Sequence, residues 1–361
     1  MKKINVLSLF DGMSCGQLAI SQLGFEYNYF ASEIDKHAMQ VTQSNFPNTV
    51  QLGSVEHWPL WDLDFANIDL LIGGSPCQGF SFAGKQLNFE DPRSKLFFVY
   101  VDVLNYIRSI NPNVRLLLEN VKMKKEYEAV ISEHLGVLPI EINSNLVSAQ
   151  NRKRLYWTNI EGVTRPEDRG VYLKDVLQED VDEKYYLSDA AILRAIRKNY
   201  SQPKLNPNKT GSLNTKNNSG QCSFDSGTTF ISDESEKANT VLQRYYKDCK
   251  DIALLIVPEA TKKGYAEILP GECFDNEQPN SKTRRGRRMS DKSNSLMAQN
   301  MSFLRFTETC KIRRLTPVEC ERLQTVPDNY TALASDTQRY RMLGNGWTVE
   351  VIKHILKNLQ A

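Results

Sequence analysis

The stretch INVLSLFDGMSCG, residues 4–16, decides how the rest of the chain is interpreted. Residues 4–10 form an apolar run that predicts a strand buried in a parallel sheet. A glycine-containing loop follows, and residues 14–24 then show helical spacing that ends at Gly24. Backbone N–H groups at such a strand-to-helix junction favour an anionic ligand. The stretch therefore predicts the first strand–loop–helix unit of an α/β fold.

Strand and helix signals continue to alternate beyond this unit. Strand signals recur at 27–35, 49–52, 67–74, 114–121 and 143–160, the last of which has room for one or two strands. Helical spacing predicts a helix at 36–46 and another that begins at Asp91-Pro92 and ends at Asn111-Pro112. This alternation predicts an open, doubly wound α/β sheet.

Composition limits the class of protein. The chain has 361 residues, 40% hydrophobic and 24% charged, which is typical of a globular protein with two domains. The seven cysteines are an odd number without C-x-x-C spacing, and the four histidines lack ligand spacing. We therefore expect a reducing compartment and neither a disulfide framework nor a metal site. No signal peptide or membrane span is expected.

The regular pattern weakens at about 165 and returns after 312. We expect a helix capped by Thr316 with Pro317 in its first turn, and a last helix at 348–359 that packs on the first domain. The predicted domains are 1–165 plus 335–361, which carry catalysis and cofactor binding, and 166–334, which form a smaller, irregular domain. The second domain includes the connecting motif at 312–330.

Glu33 lies at the end of the second predicted strand, about twenty residues after the first loop. Nucleotide-binding folds place a carboxylate there to bind ribose hydroxyls. The loop is not G-x-G-x-x-G, so a dinucleotide and an oxidoreductase are not favoured. From this motif alone, a ribose site and a tight turn with a surface glutamate are equally good interpretations.

Cys77 lies in SPCQGFS (75–81), at the end of a predicted strand. A thiol attacks as a thiolate, and the edge of a sheet can lower its pKa. Glu119 ends the next strand on the same edge, and Arg152 and Arg154 share one face if their segment is extended. A nucleophile, a carboxyl group and two guanidinium groups at one edge indicate an active site.

The sequence resembles the DNA cytosine-C5 methyltransferases. The matching stretches, in the family's order, are LSLFDGMSCG, SEID, GGSPCQGFSFAGK, FEDPRSKLFF, LLLENV, QNRKRLYW, RRLTPVECERLQTVP and LGNGWTVEVI. FDGMSCG and GNGWTVEVI are most similar to the animal de novo branch. The resemblance implies a Rossmann-like methyltransferase sheet beside a target-recognition domain.

The resemblance also implies roles for individual residues. Cys77 would add to C6 of a flipped-out cytosine, Glu119 would hold the N3/N4 edge, and Arg154, with Arg152 nearby, would contact the base or position Cys77. S-adenosyl-L-methionine would be the cofactor, S-adenosyl-L-homocysteine the product, and no metal would take part. The implied cofactor-binding residues are Phe10, Asp11, Gly12, Gly16, Glu33, Ile34, Ser54, Val55, Ser75, Leu96, Asn345, Gly346 and Trp347. Ser54 replaces the family's usual aspartate, which casts doubt on cofactor affinity and not on the type of reaction.

Basic residues indicate where the DNA phosphates would be contacted. Residues 79–95 resemble the family's mobile active-site loop, and the run KTRRGRR (282–288) lies in the predicted recognition domain. A solvated surface is the alternative for both segments. The predicted phosphate contacts are Lys85, Arg93, Lys282, Arg284, Arg285, Arg287 and Arg288.

Two other functions stay open at this point. One is a tRNA cytosine-C5 methyltransferase, although that family typically has Pro-Pro-Cys where this chain has Ser75-Pro76-Cys77. The other is a catalytically impaired DNA-binding relative. The expected partners are double-stranded DNA and a cognate restriction endonuclease, with no membrane. The expected state is a monomer in the cytoplasm, associated with the nucleoid of a bacterial or phage-infected cell.

Overall fold

A computed structural model defines the architecture of the chain. It describes residues 3–75, 95–186, 229–232, 252–269, 271–275, 281, 283, 285–289, 291–295, 303–306 and 312–360. The chain forms two compact units. The first unit comprises Met1–Tyr172, Ser295–Gln299 and Cys320–Ala361, and the second comprises Leu173–Asn294 and Asn300–Glu319.

The strands of the first unit follow the predicted alternation. They are β1 Ile4–Leu9, β2 Tyr27–Ser32, β3 Val50–Gln51, β4 Leu70–Gly73, β5 Arg115–Val121, β6 Pro139–Asn143, β7 Gln150–Asn151 and β8 Lys153–Thr158. Among the described residues, seven of them form one sheet in the order β3-β2-β1-β4-β5-β8-β6. The first five strands of this order pair in parallel, whereas β8 is antiparallel to both β5 and β6. The predicted open α/β sheet is confirmed, with one reversed strand inserted.

The described helices are distributed over both units. They are α1 Cys15–Gln22, α2 Lys36–Asn45, α3 Lys95–Ile110, α4 Lys125–Leu135, α5 Leu173–Val176, α6 Pro317–Leu323, α7 Asp336–Asn345 and α8 Val349–Leu356. Short 3-10 helices lie at Val55–Leu60, Phe65–Asn67, Ser144–Leu146, Glu183–Tyr185 and Lys357–Gln360. No helix in the described part of the chain is long and apolar enough to cross a membrane.

The core explains why these segments form these elements. The side chains of Leu7, Leu71 and Leu117 are fully buried in the three central strands β1, β4 and β5. Strands covered on both faces need such continuous apolar runs. Helix α3 buries Tyr100 and Ile107 on one face, as its spacing predicts.

The described strands of the second unit are short and antiparallel. They are β9 Thr229–Ser232, β10 Ile252–Pro258, β11 Tyr265–Ile268, β12 Cys273–Asp275, β13 Arg288–Met289, β14 Ser293–Asn294, β15 Phe303–Phe306 and β16 Ile312–Arg314. Their sheets run in the orders β11-β10-β9 and β13-β12-β15-β16. The role of this unit in target recognition stays a prediction.

The structure groups residues 320–334 with the first unit, although the sequence analysis assigned them to the second domain. The carboxylate of Glu321 accepts hydrogen bonds from the backbone N–H groups of Asn329 (2.7 Å) and Thr331 (2.9 Å). It also accepts from Nη2 of Arg339 on α7, at 3.0 Å. These buried bonds tie the segment after α6 to the helices of the first unit.

Candidate active site

The carboxyl ends of three neighbouring strands meet at one edge of the sheet. Leu9 of β1 is paired with Gly73 of β4, which in turn is paired with Leu118 of β5. The residues that follow these strands therefore lie side by side, in the position where open α/β sheets bind ligands. The predicted residues Cys77, Lys85 and Arg93 follow β4 in the sequence but lie outside the described residues.

Glu119 and Arg154 form an ion pair at this edge. Nε of Arg154 lies 3.0 Å from Oε1 of Glu119, and both side chains are largely buried. The antiparallel register brings them together, because Glu119 is opposite Tyr156 and Arg154 is opposite Val121. They are thus diagonal neighbours on one face of the sheet. The structure thus brings together two of the side chains that the sequence places at this edge, and their catalytic roles stay predictions.

The second carboxylate oxygen of Glu119 and the ring of Trp347 pack closely on Gly74. A methyl group at Gly74 would lie 3.3 Å from Oε2 of Glu119 and 3.0 Å from Nε1 of Trp347. Both distances are shorter than ordinary side-chain contacts, so a larger residue at position 74 would press on both groups. The absence of a side chain at Gly74 therefore allows the Glu119 carboxylate and the Trp347 ring to pack this closely on the end of β4.

Asn120 connects the ends of β4 and β5. Its Nδ2 donates to the backbone oxygen (3.4 Å) and to Oγ (3.3 Å) of Ser75, and all of these groups are buried. Its Oδ1 accepts from the N–H of Val121 at 2.8 Å. Asn120 therefore fixes the backbone two residues before Cys77. Asn120 adjoins Glu119 in LLLENV, but no pattern in the sequence distinguishes it as a residue of the site.

Arg152 binds backbone at a different place from Arg154. Its Nη2 donates to the carbonyl oxygens of Gly344 (3.3 Å) and Gly346 (3.0 Å), and its own N–H donates to Oδ1 of Asn143 (2.9 Å). The pKa of Arg152 is lowered to about 10. Burial is the largest cause, and the positive charge of Arg154 is the second largest. These contacts are those of a residue that holds the turn after α7, and a catalytic role for Arg152 stays a prediction.

The loop after β1 joins the end of β2 through Glu33. The N–H of Gly12 donates to Oε2 of Glu33 (2.7 Å), while Oε1 accepts from the N–H groups of Ile34 (2.7 Å) and Asp35 (2.8 Å). A carboxylate oxygen has two lone pairs, so Oε2 keeps acceptor capacity for a hydroxyl group. Glu33 can therefore both stabilise the loop and bind a ribose.

Several other predicted cofactor residues surround this loop. Phe10 and Gly12 have positive φ angles of 59° and 60°, so the loop turns sharply there. Ile34 is 73% exposed, which leaves an apolar side chain open to a ligand. Val55 is buried, Leu96 packs on the core, and Oγ of Ser54 accepts from the N–H of Glu56 (3.3 Å) as the cap of a 3-10 helix.

The C-terminal segment brings the remaining predicted cofactor residues to the same loop. A methyl group at Gly346 would lie 2.8 Å from Cε of Met13, and one at Gly16 would lie 3.4 Å from the Trp347 ring. Asn345 is exposed at the end of α7. Residues from the two ends of the chain are thus neighbours in the first unit.

The sequence profile of the family described as C-5 cytosine-specific DNA methylase matches residues 4–361. The chain belongs to this family. It is therefore an enzyme of the DNA cytosine-C5 methyltransferase class, whose members use S-adenosylmethionine.

Relatives of this methylase include restriction-type and orphan enzymes. The Type II methyltransferase M1.ScrFI of Lactococcus lactis subsp. cremoris is 28% identical over 99% of this chain and 78% of its own length. The orphan methyltransferase M.SPRI of Bacillus phage SPR is also 28% identical, over 99% of this chain and 98% of its own. The methylase thus spans most of the length of both relatives.

Solved structures share its fold. The Entamoeba histolytica methyltransferase EhMeth superposes with a TM-score of 0.58 at 16% identity, covering 99% of this chain and 98% of that chain. DNMT2 of Spodoptera frugiperda gives 0.54 at 20% identity, covering 99% and 100%. At these identities the similarity extends to the fold alone.

The basic run of the methylase is only partly available to DNA, which corrects one prediction. Arg287 is 1% exposed, and its Nη1 donates to the carbonyl oxygen of Asp275 at 3.0 Å. The turn at Gly286, with φ of 69°, directs this side chain inward. Arg287 therefore supports the loop and does not offer its charge to phosphate.

The other described arginines of the run are more exposed than Arg287. Arg285 is exposed and donates from Nε to the carbonyl oxygen of Ala260 at 2.9 Å. Arg288 is partly exposed and forms an ion pair with Glu272. Lys282 and Arg284 lie outside the described residues. Phosphate contact by Arg285 and Arg288 stays a prediction.

In the described part of the methylase, no group of three or more His, Cys, Asp or Glu side chains could hold a metal ion. The cysteines Cys15, Cys273 and Cys320 are buried, and none of the three forms a disulfide. Burial raises the pKa of the Cys15 and Cys273 thiols to about 12, so these two remain protonated at neutral pH.

Asp11 should make the stability of the methylase depend on pH. Desolvation raises its pKa from 3.8 to about 6, against the opposing hydrogen bonds from Ser14 and Tyr29. Because the folded pKa exceeds the unfolded one, its stabilising contribution is complete below about pH 4 and is lost as pH rises through about 6. We expect the free energy of unfolding to fall by on the order of 3 kcal/mol more in the wild type than in Asp11→Asn between pH 4 and 8.

Denaturant unfolding of the two proteins across this range measures that difference. Asp11→Asn also alters hydrogen bonds, which changes the free energy of unfolding by the same amount at every pH. The comparison therefore uses how steeply the free energy of unfolding changes with pH in each protein. Parallel pH profiles would show that Asp11 titrates alike in the folded and unfolded chain.

Proposed function

We propose that this methylase transfers a methyl group from S-adenosylmethionine to C5 of a cytosine flipped out of duplex DNA, through a covalent bond between Sγ of Cys77 and C6. The observation that carries the proposal is the Glu119–Arg154 pair at the carboxyl end of β5. Strand β5 is paired with β4, and the sequence runs from β4 through Ser75 to Cys77. A nucleophile and a buried, charge-paired carboxylate at one edge support addition to an electron-poor ring.

The chemistry requires both groups because C5 of cytosine is too weak a nucleophile to attack a methyl donor. When the thiolate of Cys77 bonds to C6, the C5=C6 electron pair shifts toward C4 and negative charge develops at N3. N3 then takes up a proton that comes from solvent by way of the Glu119 carboxyl group. Glu119 would share that proton and accept a hydrogen bond from the N4 amino group, which lowers the energy of the charge that develops. C5 of the resulting enamine is nucleophilic, and the cofactor supplies the methyl group as an electrophilic sulfonium.

The last steps restore the aromatic ring. After transfer, a base removes the proton from C5, the C5=C6 bond re-forms, and the thiolate of Cys77 leaves C6. Glu119 would return the N3 proton to solvent at this stage. Since C5 and C6 are covered in a stacked duplex, the base must leave the helix before any of these steps.

The surroundings of Glu119 suit this role. Arg154 forms an ion pair with Oε1, and this attraction favours one orientation of the carboxylate. Oε2 is not the oxygen that pairs with Arg154, and the absence of a side chain at Gly74 avoids a contact of 3.3 Å with it. We infer that Oε2 is the atom that contacts the cytosine and that Arg154 fixes its direction.

The cofactor site that we infer combines both ends of the first unit. Glu33 has acceptor capacity left for ribose hydroxyls, and the exposed Ile34 offers an apolar surface to adenine. Glycines at positions 12 and 346 allow close approach of the backbone. Asn345 and Trp347 would border the methionine end, and S-adenosylhomocysteine would leave by the same route.

We further propose that the methylase acts as a monomer on duplex DNA in the cytoplasm, associated with the nucleoid. The Type II relative M1.ScrFI supports pairing with a restriction endonuclease, whereas the orphan M.SPRI supports action alone. The second unit would position the duplex through phosphate contacts by Arg285 and Arg288, with unidentified side chains reading the bases.

Methyl transfer from labelled S-adenosylmethionine tests the substrate. We expect label on cytosine in mixed-sequence duplex DNA and none above background in bulk tRNA offered in parallel. Bisulfite sequencing of the labelled DNA would then give the recognition site. Label confined to tRNA would overturn the duplex-DNA proposal while retaining the chemistry, and label on neither, with intact cofactor binding, would leave only a DNA-binding role.

A further inference from the structure

The C-terminal end of α7 is capped in an unusual way. After Asn345 the chain continues at Gly346 with φ of −64° and ψ of 163°, which is extended and not left-handed. Without a left-handed cap, the last carbonyl groups of a helix need partners from elsewhere. The N–H of Gly346 satisfies only the carbonyl oxygen of Met342, at 2.7 Å.

Two buried side chains supply the other partners. Nε2 of Gln324 donates to the carbonyl oxygens of Leu343 (2.5 Å) and Gly346 (3.2 Å). Nη2 of Arg152 donates to those of Gly344 (3.3 Å) and Gly346 (3.0 Å). Gln324 is fully buried, so water does not take over its bonds. The turn is therefore held by two side chains: the amide of Gln324, which follows α6, and the guanidinium group of Arg152, which precedes β8.

The orientation of the Gln324 amide is fixed by the hydrogen bond that its oxygen accepts. Oγ1 of Thr348 donates to Oε1 of Gln324 at 3.0 Å and accepts from Oγ of Ser144 at 2.9 Å. The backbone oxygen of Gln324 accepts from the N–H of Val349 at 3.0 Å. Only an NH₂ group can donate to two carbonyl oxygens while the same side chain accepts from a hydroxyl, so a carboxylate does not replace this amide.

We infer that Gln324 is a positioning residue for the cofactor: it holds the turn that presents Asn345 and Trp347 to S-adenosylmethionine. This inference rests on the proposed function. Gly346 already packs closely on Met13, and Trp347 packs on Gly16, so the turn and the loop after β1 fit each other tightly. A small shift of the turn changes both walls of the site, and such shifts reduce binding strongly.

Gln324→Leu tests the inference through binding of S-adenosylhomocysteine, measured by calorimetry without catalysis. The substitution keeps the volume and removes the donor. We expect the dissociation constant to rise about tenfold, which corresponds to about 1.4 kcal/mol. In methyl transfer, KM for S-adenosylmethionine should rise by a similar factor while kcat changes less than about threefold, because Glu119, Arg154 and Cys77 are not altered.

Asn159→Leu is the matched control. Asn159 also joins two backbone groups, since its Nδ2 donates to the oxygen of Val114 (3.0 Å) and its Oδ1 accepts from the N–H of Leu116 (2.8 Å). Asn159 follows β8 and binds the amino end of β5, which is the end away from the site. We expect this variant to lose stability without a change in the dissociation constant. An equal, small effect of both variants on binding would reduce Gln324 to a structural residue and overturn the inference.

Thr348 keeps the test decisive if Gln324→Leu does not fold. Thr348→Val removes the hydroxyl that orients the amide, and Thr348→Ser retains it. We expect weaker binding of S-adenosylhomocysteine in the first and wild-type binding in the second. Equal binding by both would contradict the inference. Failure of the wild type itself to bind would instead count against the proposed function.

Discussion

Replacing Cys77 with alanine should abolish methyl transfer while DNA binding survives. In the proposed mechanism the thiolate supplies the S–C6 bond that makes C5 nucleophilic, so the alanine variant leaves C5 too weak a nucleophile to attack the methyl donor. Loss of a covalent nucleophile removes at least about 10⁴-fold from kcat, equivalent to more than about 5 kcal/mol of transition-state stabilisation. Transfer of labelled methyl groups to DNA measures the loss, and a gel-shift titration measures the retained affinity.

Cys320→Ala is the matched control for this variant. Cys320 is fully buried in α6 and forms no disulfide, and it belongs to neither the proposed catalytic nor the proposed cofactor site. Its variant should methylate DNA at close to the wild-type rate. Transfer that persists in Cys77→Ala and depends on another residue would disprove the covalent mechanism.

A trapping experiment separates the covalent step from the rest of the reaction. A cytosine with fluorine at C5 can be attacked at C6 and methylated, but it has no C5 proton to lose, so the adduct persists. We expect the wild type to remain attached to such DNA under denaturing conditions, and Cys77→Ala to be released. Attachment of both proteins would place the bond on a different residue.

Local sequence patterns were sufficient for the central sheet. Strands β1, β4 and β5 are continuous apolar runs. Such runs are typical of strands that are buried on both faces, so these segments were readily assigned to the centre of a sheet. The cap of α6 was also predictable, since Thr316 and Glu319 exchange backbone and side-chain hydrogen bonds at 2.7 and 3.1 Å. These features depend on residues a few positions apart.

Elements with weaker periodicity were not predicted. Helix α4 buries Ile131 and Leu135 but also Glu128, which blurs its apolar face. Strand β6 is short and mostly half-buried. The insertion of the reversed strand β8 between β5 and β6 depends on pairing between distant segments, which no local pattern encodes.

The sequence predicted which types of residue form the site, but it did not predict which partners each of them contacts. Cys77, Glu119 and the two arginines were selected together, yet Arg152 and Arg154 bind different partners. Arg152 reaches a carbonyl group 194 positions along the chain. Gln324 was not selected because a buried amide has no distinctive sequence signal, and only the end of α7 shows what it does.

Glu119→Gln should have the second largest effect, and it tests the acid function separately from the nucleophile. The amide keeps the shape of the side chain but does not share a proton with N3, and it leaves the largely buried Arg154 without its ion pair. We expect kcat to fall by about 10²–10⁴-fold. The affinity for duplex DNA should change little, because phosphate contacts dominate that affinity.

Glu141→Gln is the control for the loss of a carboxylate. Glu141 pairs with Lys122 at 2.6 Å on an exposed part of the same sheet, and exposed pairs contribute little to stability. This variant should retain wild-type kcat. Single-turnover kinetics with a large excess of enzyme isolate the chemical step, where Glu119→Gln should be slow both in transfer and in formation of the trapped adduct. Normal adduct formation with slow transfer would mean that Glu119 acts after the attack of Cys77, and that N3 receives its proton from another donor.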